Sequence, residues 1–421
     1  MQRSPRKRSP IKSGNGGHTK PNCAPRRAPR RPRRMAGDNE SIEVAITAMA
    51  HGGDGIGRVE GQVCFVPYGL PGDRLRVRIK RRAKRAMWGE IVDILDASPD
   101  RCAAECPAFG QCGGCSWLHF AYPAQAEWKR RIVRELLQRL GGIEADPEWI
   151  EDASLRLGYR TRAEFHGDGA ALGFYAQGSH TVVDITRCPL CHDRLNAALE
   201  LLRETSIKGA VAVTVNPEGD ETLIWTRFIR RNLRDRFPMT DTPQENGPRS
   251  RFIFDGVTIV NGTFCQASLL LNRLLVKAVH GYVGKPVLLL DLYCGNGNLS
   301  ATLPQRTRVT GVDQNRAAVQ SAREARNAEY RAGDEATMCK VIQEGDWECI
   351  LLDPPREGAK AVAPAIAASK ARAVVYVSCD PATLARDLRV ICGGGWRLVR
   401  SAVIDMFPNT PHMETVCRLE R

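Results

Sequence analysis

Hydrophobic and polar positions alternate over residues 41–98, in short runs separated by glycine-rich turns. In residues 75–80 (LRVRIK) every second side chain is apolar and the others are basic. A period of two is typical of a half-buried strand, so the three basic residues are expected on one strand face. The segment predicts a small β-barrel with one basic side. Such a side commonly binds nucleic acid, although a solvated strand face gives the same pattern.

The pattern changes further along the chain. Residues 126–141 (AEWKRRIVRELLQRLG) carry apolar positions at helical spacing and stop at a glycine, which predicts an amphipathic helix. Residues 159–254 return to short strand-like runs. From residue 266, helical segments alternate with apolar runs such as VLLLDLYC and ARAVVYVSC. Such runs indicate strands buried on both faces of a mostly parallel sheet, so a doubly wound α/β domain is predicted.

These changes divide the chain into four parts. The predicted parts are a basic tail (1–37), a barrel (38–98), a central β-rich domain with a cysteine cluster (99–262) and the α/β domain (263–421). The helix at 126–141 is a candidate to pack on the last of these.

Charge changes the picture only at the N-terminus. The formal charge is +14, but the first 37 residues hold twelve Lys and Arg and no acid, leaving 49 basic against 47 acidic residues elsewhere. This tail cannot bury enough apolar surface to offset the entropy of ordering, so we expect it to be disordered. It could anchor RNA, act only as a solubilising extension, or precede a true start at Met35.

Composition excludes two classes of protein. No apolar run approaches the ~18 residues that span a bilayer, and no signal-peptide core is present. Fifteen unevenly spread cysteines do not suit a secreted disulfide scaffold. We therefore expect a cytoplasmic protein with reduced thiols and no membrane partner. Its oligomeric state is left open, with a monomer as the expectation.

Two glycines follow a predicted buried strand in residues 291–298 (DLYCGNGN). Glycine lets the backbone turn tightly and approach a ligand at the carboxyl edge of a sheet. The next predicted strand ends at Asp313, whose carboxylate can accept both ribose hydroxyls. Because no third glycine seats a pyrophosphate, the pattern fits S-adenosylmethionine at least as well as a dinucleotide. A glycine turn without a ligand is the alternative.

Three further segments carry reactive side chains near strand ends. Asp353 precedes two prolines that preset the backbone, so its carboxylate is expected to face the cleft and meet a base edge. Cys379 precedes a predicted helix start, where the dipole and amides favour a thiolate, although a structural cysteine is the commoner fate. Glu414 lies two residues after His412, and its carboxylate could serve as a general base or belong to a surface pair.

Cysteines 106, 112 and 115 form a C-x5-C-x2-C pattern. With the distant Cys188 they give four thiolates, a set that suits a [4Fe–4S] cluster or a tetrahedral zinc. Spacing does not choose between these metals, and Cys191 is an alternative fourth ligand.

The segments DLYCGNGN, LLDPPREG, YVSCDPATLARDL and DMFPNTPHMETV resemble, in order and spacing, the RNA uracil-5-methyltransferases over residues 41–421. The resemblance implies a Rossmann-like class I methyltransferase domain after an OB-like barrel of the TRAM type and a central β-rich iron–sulfur domain. It implies S-adenosylmethionine-dependent methylation of C5 of a uridine in RNA. Cys379 would add at C6, Glu414 would remove the C5 proton, and Asp353 would hold the uracil edge.

The resemblance also carries over a set of cofactor contacts. These positions are Gln266, Tyr293, Gly295, Asp313 and Asp353. The chain departs from the family at Ser268, where asparagine is frequent, and at Asp313, where glutamate is frequent.

The cysteine pattern resembles the iron–sulfur branch of the family. It implies a [4Fe–4S] cluster on Cys106, Cys112, Cys115 and Cys188, with zinc as the alternative. That branch resembles the ribosomal-RNA enzymes, so 23S rRNA is the expected partner. Residues 159–165 (YRTRAEF) are closer to the transfer-RNA branch, which keeps tRNA as the alternative substrate. From another class, the alternative is a non-catalytic RNA-binding protein on a methyltransferase scaffold.

Overall fold

The computed structural model describes residues 41–227, 231–244 and 249–421. The disorder predicted for residues 1–37 therefore falls outside the described residues. The strands are β1 (Ser41–Met49), β2 (Gly55–Val59), β3 (Gln62–Val66), β4 (Arg74–Arg82), β5 (Ala86–Asp96), β6 (Glu148–Ile150), β7 (Arg162–Asp168), β8 (Leu172–Tyr175), β9 (Val182–Asp184), β10 (Lys208–Val215), β11 (Thr222–Thr226), β12 (Thr240–Asp241), β13 (Arg251–Phe254), β14 (Val257–Val260), β15 (Leu288–Leu292), β16 (Arg308–Asp313), β17 (Glu329–Ala332), β18 (Cys349–Leu352), β19 (Ala373–Ser378), β20 (Arg397–Ile404) and β21 (Glu414–Glu420). The helices are α1 (Tyr122–Leu136), α2 (Asp193–Arg203), α3 (Arg231–Arg236), α4 (Leu269–Val283), α5 (Arg316–Ala325), α6 (Glu335–Glu344), α7 (Ala363–Ala368) and α8 (Pro381–Gly393).

The first five strands close into a barrel in the order β1-β2-β3-β5-β4. In β4 the apolar side chains of Leu75 and Val77 are fully buried, as the alternation predicts. Two of the outward basic side chains, however, form ion pairs with acidic residues of β5. Arg76 lies 3.4 Å from Asp93, and Lys80 lies 2.7 Å from Glu90 on β5. Two of the three basic side chains on this face are therefore paired with acids, whereas the exposed Arg78 forms no ion pair within the described residues.

The central part is built on a six-stranded sheet in the order β12-β11-β10-β7-β8-β9. Helix α2 covers it and was not predicted, although Leu195, Leu199 and Leu202 have helical spacing and are fully buried. Strands β13 and β14 form a separate two-stranded antiparallel sheet.

The C-terminal part is a doubly wound sheet in the order β17-β16-β15-β18-β19-β21-β20-β6. The strands from β17 to β19 are parallel, and β21 runs antiparallel between β19 and β20. Neighbouring residues of one strand enter two different hydrophobic cores, with Leu290 in one and Leu289 in the other. Both faces are thus buried, which is why these strands are apolar throughout.

Two elements from before residue 262 belong to this C-terminal part. Helix α1 begins at Tyr122, four residues before the predicted start, and continues as one π-helical turn over Leu137–Gly141. Its residues Ile132 and Val133 share a core with the large sheet. Strand β6 pairs in parallel with β20 as the eighth strand. Along the described residues, no helix is long and apolar enough to cross a membrane.

Candidate active site

Cys379 lies between a strand and a helix at the carboxyl edge of the large sheet. β19 ends just before it, and α8 begins at Pro381, whose fixed φ suits the first helical position. Asp380 caps the helix, because its Oδ1 accepts hydrogen bonds from the amides of Ala382 and Thr383, each at 2.9 Å. The amides at this helix start are therefore occupied by a carboxylate.

The ionisation expected for Cys379 is not what the structure gives. Burial, together with the negative charges of Glu414 and Asp353, raises the pKa of the Cys379 thiol to about 12, and Arg356 only partly opposes this. The expected thiolate is therefore not favoured in this state, because burial and the two neighbouring carboxylates outweigh the positive charge of Arg356.

The strand register brings Cys379 and Glu414 together. In the antiparallel pair of β19 and β21, Ser378 lies opposite Thr415. Cys379 directly follows Ser378, and Glu414 directly precedes Thr415, so both residues adjoin this last pair. The charge of Glu414 is among the causes that raise the pKa of the Cys379 thiol, as expected for side chains that lie close together. The two residues that the sequence analysis singled out are thus neighbours at the end of the ladder.

Glu414 and Asp353 form a buried pair of carboxyl groups beside the thiol. Glu414 is 4% exposed, and its Oε2 has no hydrogen-bond partner among the residues described. Burial and the charge of Asp353 raise the pKa of Glu414 well above its ordinary value. Burial also raises the pKa of Asp353 to about 7. Asp353 can therefore exchange a proton near neutral pH, and the protonated form of Glu414 is favoured relative to an exposed glutamate.

The predicted cofactor residues share the same sheet edge. Leu292 pairs with Val312 on one side and with Leu352 on the other. Tyr293, Asp313 and Asp353 are the next residues on these three adjacent strands. The structure therefore brings the three together where ligands bind in open α/β sheets.

The glycine turn after β15 is held by Asp313. Its Oδ2 accepts a hydrogen bond from the Gly295 amide at 2.9 Å, and its Oδ1 accepts one from the Asn315 amide at 2.7 Å. Gly295 and Tyr293 both have positive φ, at 53° and 58°. Such backbone is costly for tyrosine and is found mainly where a site requires it. The Tyr293 hydroxyl donates to Glu335 at 2.7 Å.

Gln266 and Ser268 precede helix α4. Gln266 is 9% exposed, and Ser268 caps the helix by accepting from the Leu271 amide at 3.0 Å. Asparagine and serine are comparable N-cap residues, so the departure at Ser268 keeps the capping role. Helix α4 is tied to the glycine turn through the side-chain amides of Asn272 and Asn298, which exchange two hydrogen bonds at 2.7 and 2.9 Å.

Three residues at this edge were not singled out from the sequence. Asp291 is buried at the end of β15, and burial raises its pKa to about 7. Arg356, in the predicted Asp-Pro-Pro-Arg segment, supplies positive charge to Cys379, Glu414 and His412. His51, in the turn between β1 and β2, lies 3.3 Å from Asp380. For His51 no local pattern could have indicated the contact, because the partners are 329 residues apart.

The four predicted metal ligands converge on one small cavity of the central part. Its lining includes Cys106, Cys112, Cys115 and Cys188, together with Phe109, Phe174 and Arg160. The Gly114 amide donates to the Cys112 sulfur at 3.4 Å. Cys191 is not part of the lining and instead hydrogen-bonds with Cys188.

The four thiols line one cavity without forming a preformed metal site. Across the described ranges, no group of three or more His, Cys, Asp or Glu side chains is arranged to hold a metal ion. Four thiols are a donor set that both a [4Fe–4S] cluster and a tetrahedral zinc accept.

Known protein families match the N-terminal barrel and the C-terminal part of this chain. Family models match the TRAM domain at residues 38–92, a methyltransferase small domain at 257–373 and tRNA (uracil-5-)-methyltransferase at 335–421. An RNA methyltransferase of Gloeobacter violaceus, named as uncharacterised, is 34% identical over 91% of this chain and 97% of its own. The 23S rRNA (uracil(1939)-C(5))-methyltransferase of Chromohalobacter salexigens is 32% identical over 94% of each chain. The chain belongs to the RNA uracil-5-methyltransferase family.

A solved structure supports the fold of this methyltransferase. The tRNA (uracil-54, C5)-methyltransferase of Pyrococcus abyssi, in complex with S-adenosyl-L-homocysteine, superposes with a TM-score of 0.70 at 23% identity. The match covers 90% of this chain and all of the other. The predicted combination of an N-terminal TRAM barrel and a Rossmann-like class I methyltransferase sheet is confirmed.

Proposed function

We propose that this methyltransferase transfers a methyl group from S-adenosylmethionine to C5 of a uridine in 23S rRNA. The observation that carries the chemistry is the proximity of Cys379 to the carboxyl groups of Glu414 and Asp353 at the end of the β19–β21 ladder. The ribosomal substrate is supported by the named function of the Chromohalobacter relative, which aligns over nearly the whole chain. A tRNA substrate is the alternative, supported by the name of the matching family model and of the Pyrococcus enzyme.

The reaction needs a nucleophile because C5 of uracil is not itself reactive. The thiolate of Cys379 adds to C6, and the electrons of the C5–C6 double bond move toward O4, giving an enolate. S-adenosylmethionine supplies the methyl group that C5 then takes. Glu414 removes the C5 proton, and the C–S bond breaks as the double bond reforms. The uridine must leave its stack for both faces to be reached.

The raised pKa values suggest how the proton of the thiol is handled. A thiol with a pKa of about 12 is protonated at neutral pH, so its proton must move when the substrate arrives. Asp353, with a pKa of about 7, is a suitable acceptor. Once protonated, Asp353 can donate a hydrogen bond to O4, where negative charge gathers. Glu414 must be in its carboxylate form to take the C5 proton, and protonation of Asp353 favours that form by removing the neighbouring negative charge.

The methyl donor would be held at the neighbouring edge. Tyr293, Gly295 and Asp313 would line its adenosine, with Gln266 at the start of α4. The Asp313 carboxylate accepts hydrogen bonds from two backbone amides. It can still accept hydrogen bonds from the ribose hydroxyls, because a carboxylate has about four acceptor positions.

The chemistry is tested with three proteins and two RNAs. Wild-type protein is incubated with labelled S-adenosylmethionine and either 23S rRNA or tRNA, both lacking the modification. We expect label in a uridine of 23S rRNA. Cys379→Ala should abolish labelling, whereas Glu414→Gln should retain methyl transfer but accumulate a protein–RNA adduct on a denaturing gel. Label in tRNA alone would select the alternative substrate, and no label in either RNA would favour a non-catalytic RNA-binding protein.

We further propose that Cys106, Cys112, Cys115 and Cys188 hold a [4Fe–4S] cluster, with zinc as the alternative. Support comes from the convergence of the four thiols on the lining of one cavity. Protein purified without oxygen should be brown, contain about four irons per chain and bleach with dithionite. Cys188→Ala should lose the iron while Cys191→Ala keeps it. The reverse pattern would make Cys191 the ligand, and colourless protein rich in zinc would reject the cluster.

A further inference from the structure

The turn between β1 and β2 packs against the loop that leads to Glu414. Gly53 in this turn has φ of 95°, and a Cβ there would lie 2.8 Å from Cγ of Pro411. The Gly53 carbonyl accepts a hydrogen bond from the Trp117 indole at 3.0 Å. Trp117 is fully buried, and its own amide donates to the Asn409 carbonyl at 3.1 Å. The turn of the barrel thus packs directly against the loop that precedes Glu414, at a distance from Pro411 that leaves no room for a side chain at position 53.

His51 begins the same turn and contacts the residue after the proposed nucleophile. Its Nε2 lies 3.3 Å from Oδ2 of Asp380. The other oxygen of Asp380 caps α8. Asp380 is therefore held from two sides, by the helix of the methyltransferase sheet and by the barrel. Because Cys379 is covalently joined to Asp380, the direction of the thiol depends on both contacts.

The protonation of the imidazole follows from its partner. Hydrogen bonding to His51 is the largest cause that lowers the pKa of Asp380, to about 2, so Asp380 is a carboxylate and can only accept. Nε2 must therefore carry a proton. Nδ1 of His51 is buried and has no hydrogen-bond partner within the described part of the chain.

We propose that His51 is a positioning residue of the methyl-transfer reaction. Through Asp380 it fixes the segment that carries Cys379, so the barrel contributes part of the catalytic centre in addition to any RNA-binding surface. The inference rests on the proposed function, since it takes Cys379 as the nucleophile. It concerns the addition step, in which the sulfur must approach C6 along one direction.

The expected effect is kinetic. A misplacement of about 1 Å at a reacting group can cost about 100-fold in rate. We therefore expect His51→Ala to lower kcat by about 10- to 100-fold while the KM for RNA stays within about twofold. His51→Gln keeps an N–H donor and should recover most of the rate. His180→Ala, which changes an exposed histidine in the loop between β8 and β9, is the matched control and should behave as wild type.

A double-mutant cycle tests the route through Asp380. Asp380→Asn keeps a good N-cap but turns an amide donor toward Nε2, so the contact can persist only if the His51 proton moves to the buried, unpartnered Nδ1. The substitution therefore weakens the contact without uncapping α8. If His51 acts through Asp380, the double variant should be no slower than the slower single variant. Adduct formation in a Glu414→Gln background should slow by the same factor as kcat, because the addition step is the one affected.

The outcomes separate this inference from the proposed function. If wild type labels RNA and His51→Ala turns over at the same kcat, the inference is wrong and the function stands. An increase in KM alone would also overturn the inference, because it would assign His51 to RNA contact. Rate losses that multiply in the double variant would overturn it as well, because His51 would then act by a route other than Asp380. If wild type labels no RNA, the proposed function itself fails. Circular dichroism identifies any variant that is unfolded. If one variant is unfolded, the kcat of the folded His51 or Asp380 variant tests the inference.

Discussion

Asp291 shows what burial does to a carboxyl group at the residue scale. It is 1% exposed at the end of β15, and burial raises its pKa from an ordinary value near 3.8 to about 7, with the charges of Asp353 and Asp313 adding to the effect. Ionising the carboxyl group is unfavourable in the folded protein, where it is buried, but not in the unfolded chain. The contribution of this group to the free energy of unfolding is therefore fully present below about pH 4 and is lost as pH rises toward 7. The loss is on the order of 4 kcal/mol by about 1.4 kcal/mol per pKa unit.

Asp291→Asn removes this pH dependence. The free energy of unfolding of the variant relative to wild type should move in favour of the variant between pH 5 and pH 8, as measured by urea denaturation. Asp334→Asn is the control, because the pKa of this exposed N-cap is lowered and it stays ionised at both pH values. A relative stability of Asp291→Asn that does not change with pH would contradict the raised pKa.

At this scale the sequence predicted the positions of the candidate reactive residues better than their ionisation. Cys379 and Glu414 were singled out near strand ends, and their roles came from the resemblance to the family. The ionisation of the thiol was not predictable from local sequence, because its pKa depends on burial and on the carboxyl groups of Glu414 and Asp353, which other strands bring to it. His51 was missed altogether, since contact between a barrel turn and a helix cap leaves no trace in local spacing.

Helix α1 holds the loop at residues 405–412 in place at the element scale. Lys129 is fully buried, and its Nζ donates to Asp405 at 2.7 Å and to the Phe407 carbonyl at 3.1 Å. The Tyr122 hydroxyl donates to the other oxygen of Asp405 at 2.7 Å. Gln125 accepts from the Asn409 amide at 2.9 Å. One helical face therefore satisfies the polar groups of the loop that ends at Glu414.

Lys129→Met should be strongly destabilising. Removing one partner of a buried ion pair leaves the other charge uncompensated, which costs about 3 to 5 kcal/mol. Chemical denaturation measures the change, and methyl transfer should fall with it because the loop is released. Lys340→Met removes an exposed lysine from a pair with Glu344 on α6 and should cost less than about 0.5 kcal/mol. Equal effects of the two substitutions would contradict the assigned role.

The sequence predicted this helix from its apolar spacing, but it could not assign its polar face. Lys129 and Gln125 lie on positions that a helical wheel leaves polar, where solvent is the ordinary expectation. Their partners come from a loop more than 270 residues later. The start of the helix also lay four residues earlier than predicted, because Pro123 serves at the first turn instead of marking a break.

Charge is redistributed when the whole molecule folds. Pairing with acids on β5 neutralises Arg76 and Lys80 on the barrel. The exposed Lys84 and Arg85, at the tip of the hairpin between β4 and β5, form no ion pair within the described ranges. Nearby, Arg81 lies 3.6 Å over the ring of Trp88. The tip is thus the part of the barrel best suited to phosphate contact.

RNA binding should accordingly depend on the hairpin tip more than on the strand. Replacing Lys84 and Arg85 together by alanine should weaken binding and lower the slope of log affinity against log salt by about two, because each side chain would neutralise one phosphate. Arg76→Ala, which removes a paired charge, should leave the slope almost unchanged. Filter binding over a range of potassium chloride gives the slope. If Arg76→Ala lowered the slope more than the double replacement, the RNA interface would lie on the strand face and not at the hairpin tip.

The pairing of β6 with β20 imposes an order on assembly. Glu148 meets Ala402 across about 250 residues, and the whole six-stranded central sheet is made between them. During synthesis β6 must wait, unpaired, until β20 is made, and α1 must likewise wait for the loop at residues 405–412. Contacts over such distances form slowly. A nascent chain of this enzyme can therefore complete its N-terminal barrel long before β20 and the C-terminal loop give β6 and α1 their partners.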